Sequence, residues 1–500
     1  MSHESIFELS HYSKFEIFNQ IKRNCESERP GAVVEIKYGD LIRLAACSQH
    51  LARMLFEWDT QLYRSLDQYM IHKITSIYID FEEVYKRLAT ASSREKETYW
   101  SSLSHAIRDA GPKQVVLRYA PESYHSDHME AFHTVMGQLQ NKLNLKELDI
   151  YIPGYTLEGL GKLKSLETLS LNIRMDIDDL VESCKQNKNL KNLSYMNNET
   201  GGKRLATIAP HCGELEELTF KMRPDCDASE YKPLAKIPKL NHLKIAGVHE
   251  RGTLQPLLEA CVAKRRKLTR LSVDDVPLDK SETQAMAQIE TLTKVKCGFD
   301  DPQSIGLLSQ LTKLGFLDIL SKHDFLAISE QVLSILKDSI AEKWIDIVDI
   351  NTNIWYQPSA GELILTIRGD NVNASDFGPL ATLPGLCSLE ISGSPQIGSL
   401  KPILNELVAA FRKAPTLTSL RLGKITAAEV AIVSQIASLK RLECGIAEKE
   451  QIPLPKEMTE PVPSSSRSAQ KILASQNAEL LAQLPLLEEI TFLYLGHYPQ

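Results

Sequence analysis

The groups best equipped for chemistry in this chain are a cluster of histidines and nine cysteines. In "HSDHMEAFH", residues 125–133, His125, His128 and His133 stand close to Asp127 and Glu130. His125 and His128 are three apart, so on a helix they share a face and could hold a divalent metal. No second ligand cluster accompanies them, and no metal is expected. The cysteines are Cys25, Cys47, Cys184, Cys212, Cys226, Cys261, Cys297, Cys387 and Cys444. Their number is odd and no pair has C-x-x-C spacing, which argues against a disulfide framework and a zinc ribbon. The chain also lacks G-x-x-x-x-G-K-[ST], H-E-x-x-H, G-x-S-x-G and an EF-hand loop. Neither catalytic residues nor a cofactor are expected, so the chain is read as a non-enzyme.

The elements that position side chains here come from a repeat. The pattern L-x-x-L-x-L, with any apolar residue at its three fixed positions, begins at Leu145, Leu166, Leu190, Leu215, Leu240, Leu268, Leu292 and Leu314. It returns at Leu386, Leu417, Leu439 and Leu487. Units of the first run start 21, 24, 25, 25, 28, 24 and 22 residues apart. That is the period of leucine-rich repeats. Weaker copies stand at Ile74/Ile77/Ile79 and Leu117/Tyr119, and "WIDIVDI" and "ELILTI" fill the gap before residue 386.

Within each copy the fourth and sixth positions alternate with polar residues, as in a strand buried on one face. Stretches such as "LQPLLEACVAKRRK" carry helical periodicity between the strands. One strand and one helix cannot bury their apolar faces alone, whereas stacked copies share a core. The expected fold is therefore α/β: a solenoid over residues 71–500 with a parallel sheet inside the curve and helices outside. Cys184, Cys212, Cys261, Cys297 and Cys444 fall on core positions of these units and are expected to be buried thiols. Pro453, Pro455, Pro461 and Pro463 deny regular structure to "IAEKEQIPLPKEMTEPVPSSSRS". A flexible insertion is expected over 445–470, open to modification at Ser464–Ser466.

With 43% hydrophobic and 24% charged residues, the composition is that of a globular protein. A net charge of −7 does not mark a nucleic-acid binder. No segment approaches the ~20 apolar residues of a membrane helix. "MSHESIFELSHYSKF" lacks the build of a secretion signal, so a cytosolic or nuclear protein is expected. The acceptor triplets at Asn192, Asn198 and Asn373 are then chance matches. "KRRK" at 264–267 reads as an exposed turn or a localisation signal.

Ahead of the repeats, residues 9–21, "LSHYSKFEIFNQI", and 40–66, "DLIRLAACSQHLARMLFEWDTQLYRSL", pair in a way that resembles an F-box. Leu9, Phe15, Ile17, Phe18 and Ile21 match the family's first helix. Asp40, Leu41, Leu44 and Cys47 match the second, and Leu62, Tyr63 and Leu66 the third. Ser10 replaces the family's proline, Leu51 its tryptophan, and residues 22–36 are inserted. The resemblance implies an F-box-like domain over 1–70 that docks through Leu9, Phe15, Ile17, Phe18, Leu41, Leu44 and Leu51. Its partners would be the adaptor subunit and cullin of an SCF ubiquitin ligase. From the residues themselves, Asp40 would cap one helix running to about Phe56. The segment serves either as that docking module or as a cap on the open end of the solenoid.

Residues flanking the fourth and sixth positions of each strand point away from the core. On four consecutive strands they include Lys221, Lys244, Arg270, Lys294 and Lys296, with His242 among them. These form either a basic stripe for an acidic or phosphorylated protein target or a solvated face whose charges pair with Glu217 and Asp274.

Overall fold

The computed structural model describes residues 11–69, 76–109, 111–121, 124, 126–197, 199–224, 226–263, 267–320, 325–348, 351–367, 379–393, 400–413, 415–446 and 484–492. Leu9, Ser10, His125, Asn198, Asn373, residues 264–266 and most of the 445–470 segment, with Ser464–Ser466, lie outside these. The chain forms two compact units, Met1–His249 and Glu250–Gln500.

The first unit opens with α1 (His11–Glu28), α2 (Val34–Lys37), α3 (Gly39–Ala46), α4 (Gln49–Trp58) and α5 (Thr60–Leu66). The single helix expected from Asp40 to Phe56 is two helices. Ser48 is extended, and its hydroxyl accepts from the Leu51 amide to cap α4, a local bond that outcompetes helix continuation. Asp40 sits inside the first turn of α3 and pairs with Arg29 and Arg43 at 3.3 and 3.1 Å. Asp59 caps α5 through the Leu62 amide and takes Lys22 of α1 at 2.7 Å. These helices close a core of their own around Phe18, Leu41, Leu51, Leu55, Phe56 and Leu66. Phe18 and Trp58 meet ring to ring at 5.5 Å.

Seven strands follow: β1 (Ser76–Asp80), β2 (Gln114–Arg118), β3 (Glu147–Leu157), β4 (Thr168–Met175), β5 (Asn192–Tyr195), β6 (Glu217–Lys221) and β7 (His242–Ala246). Each pairs in parallel with the next. Leu148, Leu169, Leu193, Leu218 and Leu243 stand side by side in that register and are fully buried. The sequence period is thus the sheet register, with helices or 3₁₀ turns between strands. One carbonyl before each strand accepts two amides of the following unit: Lys146 from Glu167 and Thr168, Glu167 from Lys191 and Asn192, Lys191 from Glu216 and Glu217. Asn187, nearly fully buried, ties two units together: its Oδ1 accepts from Leu166 N at 2.7 Å and its Nδ2 donates to Leu163 O at 3.0 Å. The boundary expected near residue 70 falls inside this unit, because α4 packs on β1 and α5 on the helix Ser93–Asp109.

The second unit carries β8 (Arg270–Leu278), β9 (Lys294–Phe299), β10 (Phe316–Ile319), β11 (Lys343–Ile347), β12 (Thr352–Gln357), β13 (Glu362–Ile367), β14 (Ser388–Gly393), β15 (Ser419–Ile425), β16 (Arg441–Ile446) and β17 (Glu489–Phe492). The sheet is parallel as expected except at one detour. β11–β12 and β12–β13 are antiparallel, and the other neighbouring pairs are parallel. The cause is connection length: β12 starts five residues after β11 ends and β13 five after β12. A parallel crossover needs about a dozen residues. Gly361 closes the second turn at φ +60°, where a Cβ would run into the Gly385 carbonyl. Its own carbonyl accepts from Cys387 and Ser388, which returns the chain to the repeat register.

Two helices of this unit begin on matching capping boxes, Asp279 with Glu282 and Thr426 with Glu429. Both glutamates are buried. Each also reaches the preceding helix: Glu282 accepts from Leu254 N at 3.0 Å and Glu429 from Lys401 N at 3.1 Å.

Candidate functional site

The N-terminal residues expected to dock on a partner divide by burial. Phe15, Phe18, Leu41 and Leu51 are buried in the helical core, so in this conformation they offer a partner no surface. The reason is packing: the apolar stripes of α1, α3 and α4 face one another. Ile17 and Leu44 are half-buried, and Leu9 lies outside the described residues. The apolar surface instead comes from the inserted segment. Val33, Val34 and Ile36, in and just before α2, are exposed, Ile36 by 61%.

The expected cations lie on the outward sheet faces of the two units. In the first, His242 Nδ1 lies 2.5 Å from Glu217 Oε1 on the adjacent strand. Lys221 aligns with Ala246 and Lys244 with Thr219, so the two lysines occupy different rows. The same face holds Arg118 on β2, whose guanidinium donates to the Tyr78 hydroxyl at 3.4 Å and lies 5.4 Å from the centre of the Tyr151 ring. Next to it on β3, burial pushes the Asp149 carboxyl upward, opposed by a hydrogen bond from Ser170 and the charge of Arg118.

In the second unit Lys296 pairs with Asp274 at 3.7 Å and Lys294 with Asp318 at 3.9 Å. Arg270 and Lys294 are direct register partners and both are exposed. They begin a row that crosses the sheet. Lys294 aligns with Phe316, Phe316 with Trp344, Trp344 with Trp355, Trp355 with Ile364 and Ile364 with Glu390. Phe316 is 51% and Trp344 42% exposed, while Trp355 and Ile364 are half-buried. The Trp355 indole N–H donates to Glu342 Oε1. Past Ile364 the row turns polar and self-paired, with Arg421 bonded to Glu390 at 3.4 Å and Glu443 at 3.2 Å.

Sequence reasoning placed Arg270 and Lys294 on this face but missed Trp344, Trp355 and Ile364, which fall where the leucine period lapses. A usable signal was present. In "KWIDI" and "TNIWYQ" the tryptophans alternate with inward Ile345, Ile347, Ile354 and Tyr356.

Of the histidine cluster, His128 is packed among aromatic rings. His128 stacks on Tyr85 and its Nδ1 bonds the Tyr119 hydroxyl, while His133 is exposed. No group of three metal-ligating side chains occurs among the described residues. Cys184, Cys212, Cys261, Cys297 and Cys444 are buried as expected, and burial pushes the Cys444 thiol up to about 11. A cleft of about 530 Å³ opens beside Trp58, lined also by Asp59, Gln61, Arg94, Glu95 and Tyr99. No helix among the described residues is long and apolar enough to cross a membrane.

No family model matches the chain, and no curated protein matches it. Among solved structures it is similar to one described as the Toll–Spatzle complex, a molecular hub in Drosophila development and innate immunity. Identity is 13% over 71% of this chain and 49% of that one, with a TM-score of 0.38. The chain spans about half the length of that structure.

Proposed function

We propose that this chain is the target-recognition subunit of an SCF-type ubiquitin ligase. In this reading the strand–helix units are a leucine-rich-repeat solenoid whose outward strand face binds a target protein. The N-terminal helices are a divergent F-box that docks on the adaptor subunit, itself carried by a cullin, in the cytoplasm or nucleus. The observation that carries the docking role is the exposed aliphatic edge of Val33, Val34 and Ile36 on a helical module whose own core is already closed. Apolar groups clustered at a surface mark a contact to be covered. The chain itself makes no bond: it raises the effective concentration of target lysines near the charged conjugating enzyme.

The test is recovery of adaptor and cullin with the full-length protein from cells. Val33→Asp with Ile36→Asp abolishes that recovery while leaving the fold intact, since both side chains are outside the core. Charge at Leu41 would be uninformative because Leu41 is buried and the helices would unfold. The packing of α4 on β1 favours a second reading, in which these helices only cap a ligase-independent protein-binding array. Failure to recover adaptor and cullin, with partners still captured by the repeats, selects that one.

A further inference from the structure

The second unit carries on its outward sheet face four consecutive apolar residues, Phe316, Trp344, Trp355 and Ile364, one from each of four neighbouring strands. At ~4.8 Å per strand they span about 14 Å. Outward positions of a sheet that faces water are ordinarily polar, and the next row along the same strands is: Asp318, Asp346, Asn353 and Thr366. The ladder is therefore a local departure from the face around it. Its two ends differ. On one side stand two exposed cations, Lys294, 3.9 Å from Asp318, and Arg270, which has no ion-pair partner among the described residues. On the other side Glu390 is neutralised by Arg421. A ligand lying across the strands meets positive charge at one end only.

We infer that this ladder binds an extended segment of a partner protein that carries a large apolar side chain with acidic residues beside it. The apolar group packs on Phe316 and Trp344, whose rings supply large contact area at low entropic cost. Carboxylates within about three residues of it, at ~3.3 Å per extended residue, reach Lys294 and Arg270. The half-buried Trp355, its N–H already satisfied by Glu342, forms the floor between Trp344 and Ile364. This inference deepens the proposed function, since it rests on the reading of the repeats as a protein-binding array and states the chemistry of the segment they hold.

The experiment is a screen of the full-length protein, alone, against short displayed peptides of random sequence, followed by fluorescence titration of the enriched peptides. The expected result is enrichment of sequences with Trp, Phe or Leu close to Asp or Glu. Their affinity falls ~10-fold or more in Trp344→Ala and in Phe316→Ala. It falls, with loss of salt dependence, when Arg270 and Lys294 are replaced by Gln. Phe316 and Trp344 both face solvent, so two independent variants guard against one that misfolds. No enrichment, enrichment of basic or purely apolar peptides, or affinity unmoved by both aromatic substitutions overturns the inference. Because adaptor and cullin are left out, peptide binding without adaptor recovery retains this surface and removes the ligase assignment. Adaptor recovery without peptide enrichment does the reverse.

Discussion

Glu282 offers a quantitative test of how the repeats are joined. Its side chain is fully buried, yet both oxygens are used: one accepts from Asp279 N at 3.1 Å, the other from Leu254 N at 3.0 Å in the preceding unit. Glu282→Ala leaves both amides without a partner. Each stranded donor costs roughly 1–3 kcal/mol, so the variant loses about 3–4 kcal/mol. Glu282→Gln keeps one accepting oxygen and is expected to lose about half of that. Whole-chain unfolding of two compact units need not be one transition, so the readout is local. Hydrogen exchange across residues 250–290 is expected to accelerate by ~100-fold or more in the alanine variant, at tenfold per 1.4 kcal/mol. The glutamine variant should fall between that and the native chain. Equal exchange in all three proteins would refute the argument that this carboxylate couples neighbouring repeats.

Other perturbations probe the core, the hairpin detour and the thiols. Phe220 is fully buried and stacks on Tyr231 at 4.8 Å, so Phe220→Ala should cost about 3–5 kcal/mol, read as faster hydrogen exchange in the strands and helices packed around it. Lys343 is buried with its ammonium on the Leu314 carbonyl, and burial lowers its pKa below the ordinary 10.5. Between the two values the unfolded chain binds more protons than the folded one, so stability climbs with pH up to 10.5. Lys343→Met should flatten that climb without destabilising the protein at pH 7, and calorimetry over this range measures it. Among the cysteines, exposed Cys47 should alkylate first in the native protein. Cys184, Cys212, Cys261 and Cys297 should react only on unfolding, which mass spectrometry resolves site by site.

The strands were legible because each leucine triplet combines two demands, period 2 along the strand and period ~24 along the chain, which only a stacked array satisfies together. Leu169, Leu193 and Leu218 pair accordingly. Burial in the N-terminal helices was not legible in the same way. An amphipathic stripe states that Leu41 and Leu51 need covering, not whether another helix of the chain or a partner covers them. Here the helices cover each other, and the exposed aliphatic groups are Val33 and Ile36, in the inserted segment.

The lapse of the period before residue 386 has a physical counterpart in the ladder. In a parallel array, neighbours within a row come from positions about a repeat length apart, so assembling an apolar row requires matching choices in several separate units. The antiparallel detour shortens that distance. Trp344 and Trp355 are eleven residues apart and Trp355 and Ile364 nine, yet each pair aligns directly. The two hairpin turns thus place three large side chains side by side where two helical crossovers would otherwise intervene. Phe316, from the last regular repeat before the detour, extends the row. The detour gives up the helices that would have covered the other face of those strands, which Ile345, Ile354 and Leu365 still bury. Such a departure from a regular array is consistent with a row kept for contact with a partner, because surplus apolar surface on the outward face brings no folding energy of its own.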